Sequence, residues 1–396
     1  MSKLSREQTI EYDKKYNQHP WLKGNTEPIP IEKAEGIFFY DFNGKKYYDM
    51  SSQLSCVNIG YGNKDVIQAV NDQVKTLPYI APAYASAPRS ELAKMLVELA
   101  PDNIAKVFFT CGGSDANEAA INMARTYTGR SKIFSRYRSY HGSTLGSGNL
   151  SGDPRRFALE HPAATGFVKF QDPYVYRSDI PFKNDQEASA YYINKIKEQI
   201  AYEGAENIAA IFVESITGAN GVIIPPDGYL QGIRKICDEN GILLIADEVQ
   251  SGFCRTGRMF ASVYWQEAGV EPDIIATAKS IAAGVPLSAI IARTEVMDAV
   301  PAGTIGGTYC GNPLACAASL KTIEIMERDH LAERSCEIGK KVTERYLEMQ
   351  KKYPVIGDVR GLGGMIGIEF VKDQETKEPD AAFTSDLIQT CAKKGL

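Results

Sequence analysis

The chain has 396 residues, 44% hydrophobic and 23% charged, a length that exceeds one core and predicts a large and a small domain. Its net charge is −5 with no acidic or basic tail, which argues against nucleic acid or an anionic membrane as partner. Eight cysteines stand singly without metal-like spacing, the N-terminus is polar, and the most apolar stretch (273–292) contains Asp273 and Lys279, so a metal site, a secretory signal and a membrane span are all excluded and a cytoplasmic protein is expected.

In chain order, residues 31–49 read as a hairpin turning at Asn43-Gly44, a dipeptide suited to left-handed backbone. A strand over 106–110 runs through Gly112-Gly113 into a helix over 114–127. A short strand at 132–135 is followed by another at 209–214, a turn-rich stretch at 218–228 and a helix over 229–239. Apolar strands over 241–248 and 273–278 come next. Beyond 314, amphipathic helices to 327 and over 331–352 precede strand-like 357–370 and a helix over 381–394. Short apolar strands alternating with helices predict an α/β fold with a mostly parallel sheet between helices. Residues 61–314 would form this large domain, while 1–60 and 315–396 build a smaller α+β domain from both termini. A helix ending in Lys393-Lys394-Gly395 is expected to lead into a further strand, so the small domain reads as incomplete.

Four features at strand ends carry chemistry. Asp247 and Glu248 close an apolar strand, where ligands of open α/β sheets bind, and a buried acid there needs a cationic partner. Taken alone, an acid pair is as readily a helix cap. Lys279 ends the apolar run 274–278 and is followed by Ala282, Ala283 and Gly284, which leave room for a planar ring. Burial favours the neutral form of an amine, the form that attacks an aldehyde; an isolated lysine here would more simply snorkel to solvent. Gly112, Gly113 and Ser114 join strand to helix as an anion-binding turn would, or as a plain cap. Tyr140, ahead of His141-Gly142, offers an aromatic face, or an ordinary surface loop. Together they are the groups that pyridoxal phosphate requires: an amine for its aldehyde, an acid for its ring nitrogen, a turn for its phosphate and a flat face for its ring. The glycines at 361, 363 and 364 form no dinucleotide fingerprint, because Ile366 stands at the third glycine position. Walker lysine and G-x-S-x-G motifs are absent.

From Gly36 onward the sequence resembles the class III (ornithine/GABA/ω-amino acid) aminotransferases of pyridoxal-phosphate fold type I. The resemblance lies in GGSDANEAA (112–120), SYHG (139–142), IADEVQSGFCRTG (245–257), TAKSIAAGVP (277–286), GTYCGNPLA (307–315) and VRGLGGMIGIE (359–369). It implies that Lys279 is the Schiff-base lysine and proton shuttle, and that Asp247 pairs with the pyridinium nitrogen. Gly113 and Ser114 would hold the phosphate, Tyr140 and Val249 would cover the two ring faces, and Gln250 would approach the ring hydroxyl. Glu214 falls where the family places an acid that helps swap between two substrate types. Thr308 would reach the phosphate of the neighbouring subunit's cofactor in a homodimer.

The chain departs from the family pattern in having Ser215 for proline, Cys254 for glycine and Asp115 for glutamate. The family's carboxylate-gripping arginine would lie beyond Leu396. Stretches 77–94 and 135–156 are similar to taurine:pyruvate and other ω-amino acid:pyruvate aminotransferases, and Ser55 falls where several relatives carry a bulkier pocket residue. The implied activity is ping-pong transfer of an amino group from an ω-amino acid or amine (taurine, β-alanine or GABA-like) to pyruvate or 2-oxoglutarate. Two other readings stay open: a racemase, epimerase or aminomutase using the same lysine, and a non-catalytic binding protein, against which the intact cofactor set weighs.

Overall fold

The computed structural model describes residues 4–21, 27–160 and 164–396. Near the N-terminus Ile31–Glu35 (β1), Phe38–Asp41 (β2) and Lys46–Tyr48 (β3) form an antiparallel meander. The hairpin expected over 31–49 is thus two hairpins. Asn43-Gly44 makes the second turn, where Asp41 Oδ1 accepts the amides of Asn43 and Lys45 at 2.9 Å each.

The central sheet has seven strands: Lys106–Thr110 (β4), Lys132–Arg136 (β5), Phe167–Phe170 (β6), Ile208–Glu214 (β7), Leu243–Asp247 (β8), Ile274–Thr277 (β9) and Ser288–Ala292 (β10). Their order is β4-β10-β9-β8-β7-β5-β6, parallel from β9 through β6, with β10 antiparallel to both β9 and β4. Sequence periodicity anticipates β4, β5, β7, β8 and β9 but passes over β6 and β10. The latter follows β9 without a crossover helix, returning straight from the turn at Lys279, so it lacks the strand–helix rhythm on which the reading relied.

Alternation along these strands feeds two cores. Ile211, Val213, Leu244, Ala246, Ile275 and Ile291 face one layer, which the helices Asp185–Glu203, Tyr229–Asn240, Ala87–Leu99 and Pro313–Arg328 cover. Ala210, Phe212, Ile245, Ala276 and Ile290 face the other, beneath the alanine-rich side of helix Gly113–Thr128. Burial on both faces explains why the strands read as unbroken apolar runs. Near the C-terminus Ile356–Leu362 (β11) and Met365–Phe370 (β12) pair as a hairpin, where one strand-like stretch was expected. Among the described residues no helix is long and apolar enough to cross a membrane, and no cluster of three His, Cys, Asp or Glu side chains could hold a metal.

The two-layer burial sets a stability test at Ile245, which is wholly buried in β8. Ile245→Ala should cost about 2–5 kcal/mol, read as a lowered urea midpoint, because the packed layer cannot collapse into the gap. A loss well under 1 kcal/mol would contradict the packing described.

Candidate active site

The carboxyl ends of β7, β8 and β9 open into a cavity of about 730 Å³. Nine of the residues singled out from sequence line it: Ser55, Gly113, Ser114, Tyr140, Glu214, Asp247, Val249, Gln250 and Lys279. Thr308 does not. It lies in the loop before helix Pro313–Arg328, where its carbonyl accepts a hydrogen bond from the Tyr79 hydroxyl at 3.0 Å.

Asp247 ends β8 opposite Glu214 on β7, and both side chains are buried. His141 Nδ1 lies 2.7 Å from Asp247 Oδ2, Asn117 Nδ2 donates to the same oxygen at 2.9 Å, and the Val249 amide donates to Oδ1 at 2.9 Å. Among the described residues, His141 Nε2 and Asn117 Oδ1 are buried without a partner of their own. Lys279 begins the short turn Lys279–Ala282 at φ 51, a left-handed conformation that a lysine adopts only under constraint. The neighbouring Ser280 hydroxyl donates to the Ser55 carbonyl, tying this turn to the segment Ser52–Ser55, whose four residues all have positive φ.

Helix Gly113–Thr128 points its N-terminus into the cavity, with Gly112 at the cap and no side chain closing it. Its amides and its dipole are left to an anion. Two glycines here have no substitute. A Cβ on Gly113 would fall 2.9 Å from Val249 Cγ1, and one on Gly142 (φ 144) would fall 2.2 Å from Ser147 Oγ and 2.5 Å from Ser114 Oγ.

The sequence from residue 22 to 396 matches the family model described as aminotransferase class-III. The chain belongs to the class-III aminotransferases. A crystal structure of the taurine:2-oxoglutarate aminotransferase of Bifidobacterium kashiwanohense, in complex with PLP and glutamate, superposes with a TM-score of 0.95 at 40% identity, covering 100% of this chain and 91% of that one. The 4-aminobutyrate aminotransferase GabT of Escherichia coli is 36% identical over 379 residues (94% of this chain, 86% of the relative). An isoleucine 2-epimerase of Lentilactobacillus buchneri is 40% identical over 364 residues (91% and 80%).

Several residues of this aminotransferase's cavity carried no legible signal. Arg155 is the foremost: its guanidinium carbon lies 3.9 Å from the centroid of the Tyr140 ring. Its Nε donates to Asp153 Oδ2 at 2.8 Å, its Nη2 meets the same oxygen, and Nη1 has no partner among the described residues. Trp21 meets Tyr140 edge-on, with centroids 6.3 Å apart. His141 and Asn117 matter only through contact with Asp247, more than a hundred residues away, which no local pattern reveals. The departures from the family pattern acquire roles. Ser215 donates to buried Glu248 at 3.0 Å, a bond that proline could not make, and Cys254 takes φ 66, a conformation natural to the family's glycine. Asp115 stands exposed in the first helical turn.

Glu214 accepts the Tyr140 amide at 3.0 Å and the Gly218 amide at 2.6 Å. Burial pushes its proton affinity above the usual carboxylate range; the His141 ring opposes this and Asp247 reinforces it. A carboxyl that binds its proton more tightly when folded contributes less stability as pH rises from its ordinary 4.5 through the raised folded value. In Glu214→Gln, the difference in urea midpoint from the parent protein should therefore move in the variant's favour as pH rises above the ordinary 4.5. The slope is the readout, since losing an acceptor adds only a constant offset; a pH-independent difference would refute the assignment.

Proposed function

We propose that this class-III aminotransferase uses pyridoxal phosphate and moves the amino group of an acid-bearing amine to a keto acid. The supporting observation is the convergence of Lys279, Asp247 and the uncapped helix start at Gly113 on one cavity. The residues fit the cofactor: His141 Nδ1 and Asn117 Nδ2 buttress Asp247, and at Gly113 a Cβ would fall 2.9 Å from Val249 Cγ1, so the helix start is kept bare toward the cavity. When bound, the cofactor supplies an electron sink for the donor's Cα. Lys279 would hold its aldehyde carbon and Asp247 its ring nitrogen, while Gly113 and Ser114 would take the phosphate. Tyr140 and Val249 would cover the ring faces, and Gln250 would approach its hydroxyl. Lys279 Nζ would be the base that takes up and returns the donor's Cα proton. His141 and Asn117 keep Asp247 oriented for its role.

The experiment is reduction of the purified protein with borohydride followed by peptide mass analysis. The pyridoxyl mass should fall on the peptide containing Lys279 and should be absent in Lys279→Ala, which should also lose turnover by a factor on the order of 10⁴ or more. Label on another lysine would overturn the assignment.

Arg155 supports an acid-bearing donor such as taurine, β-alanine or 4-aminobutyrate. With one guanidinium edge spent on Asp153, Nη1 is left to meet a carboxylate or sulfonate. Ser55, small and on the cavity wall, leaves room for that end. Arg155→Met should raise KM for acid-bearing donors by roughly 10- to 100-fold, the worth of one charge-assisted hydrogen bond, with little change in kcat. Equal KM values for parent and variant would refute this reading. The epimerase relative supports a second reading, inversion at Cα with the same lysine; it predicts that no keto acid is consumed.

The protein would act as a homodimer in which Thr308 completes the neighbouring site. Exposed Tyr79, Tyr84 and Tyr309 around that loop suit burial against a second copy. Eight free cysteines suit the reducing cytoplasm. Residues 61–314 would form the large unit and 1–60 with 315–396 the small one. Hydrogen bonds from the Tyr48 amide to Gly395 O (2.8 Å) and from Lys45 Nζ to Ala392 O (3.1 Å) support the joining of the termini, with helix Pro313–Arg328 bridging the two.

A further inference from the structure

The loop after β7 donates hydrogen bonds to two acids, Glu214 and Asp153. Thr217 and Ile223 close it, each backbone amide donating to the other's carbonyl at 3.1 and 3.2 Å. At its start the Gly218 amide donates to Glu214; at its tip Asn220 Nδ2 donates to Asp153 Oδ2 at 3.3 Å. Asp153 is buried, accepts its own neighbour's amide (Arg155 N, 2.9 Å) and holds the Arg155 guanidinium by one edge. The Asp153 carboxylate therefore stands between the loop and the cation.

Two arginines fasten this loop. Arg136, fully buried, donates through Nη1 to Glu214 O at 3.3 Å and to Thr217 Oγ1 at 3.2 Å. From the C-terminal hairpin, Arg360 Nε donates to Gly221 O at 3.0 Å and Val222 O at 3.1 Å, and its Nη1 is held by Asp358 and Glu369. Val222 sits at φ 51, a conformation that a β-branched residue keeps only when its surroundings impose it.

We propose that Asp153, oriented by Asn220 on a loop that Arg360 clamps, is a positioning residue for Arg155 and so sets the preference for acid-bearing donors. The inference rests on the reading of Arg155 as the donor's anion partner. Arg155 and Glu214 line the same cavity. Without Asp153 the flexible side chain would lose the contact that holds one edge of its guanidinium, and the cation would leave the place where the donor's acid belongs. Asp153 occupies the Nε/Nη2 edge through Oδ2 and leaves Nη1 without a partner among the described residues; a charged carboxylate oxygen suits this task because it accepts from both nitrogens of the fork. Selectivity is thus shared by residues that never touch the donor.

The test is steady-state kinetics on the holoenzyme with whichever of taurine, β-alanine and 4-aminobutyrate is the best donor. Parent protein, Asp153→Asn, Arg155→Met and the double variant are compared, each checked by thermal melting. Asp153→Asn should raise KM roughly tenfold with kcat within about twofold, and in the Arg155→Met background the same change should alter KM by less than about twofold. Asp153→Glu should restore part of the loss. Asn220→Ala should shift KM in the same direction by a smaller factor, and it carries the test if Asp153→Asn does not fold. Multiplicative effects in the double variant, or a fall in kcat with KM unchanged, would overturn the proposal. If Arg155→Met raises KM while Asp153→Asn and Asn220→Ala leave it alone, only the positioning role falls. If Arg155→Met itself leaves KM alone, the anion reading fails and the positioning role fails with it.

Discussion

Asp247 is 4% exposed at the end of β8, where a charge without partners would cost several kcal/mol. It is kept there by His141 and Asn117, which approach the same carboxylate oxygen, and by the Val249 amide on the other. Those contacts join three separate pieces of chain: the helix after β4, the turn after β5 and the end of β8 itself. The cavity exists because these pieces must meet at one buried acid. Gly142 is required where the turn passes Ser114 and Ser147, and Tyr140 is presented to the cavity by the backbone bond to Glu214 one strand away.

The same principle governs the rest of the electrostatics. Two buried acids, Glu214 and Asp247, lie in register on adjacent strands, and a third, Glu248, is engaged by four donors from Ser215, Ser251, Ala261 and Ser262. Burial raises the proton affinity of Glu248 as it does that of Glu214, and the four donors work against it. Glu248 is therefore structural, joining the end of β8 to the helix Ser262–Glu267, whereas Glu214 and Asp247 face the cavity. Of two adjacent acids in sequence, only one is available to a ligand, and strand alternation decides which.

Positive charge is arranged with similar economy. Lys279 is presented by a strained turn between β9 and β10, and the antiparallel return of β10 holds that turn in place. Arg155 is fixed by Asp153, and Asp153 by a loop fastened at both ends by arginines. Both cations, Lys279 and Arg155, line the cavity together with Tyr140 and the two acids, and the Arg155 guanidinium lies over the Tyr140 ring.

By itself the sequence determined the α/β rhythm, the strand ends that carry Asp247 and Lys279, and the glycine turn ahead of helix Gly113–Thr128. Each is a local matter: apolar runs, glycines and an isolated charge are legible over five to ten residues. The third strand of the N-terminal meander, the pairing of β11 with β12 and the antiparallel β10 were decided only in the folded chain, since pairing partners and direction depend on what lies alongside. Arg155, Trp21, His141 and Asn117 joined the site in the same way. Their chemistry is ordinary along the chain, and they matter because tertiary packing brings them within a few ångströms of residues up to about 130 positions away.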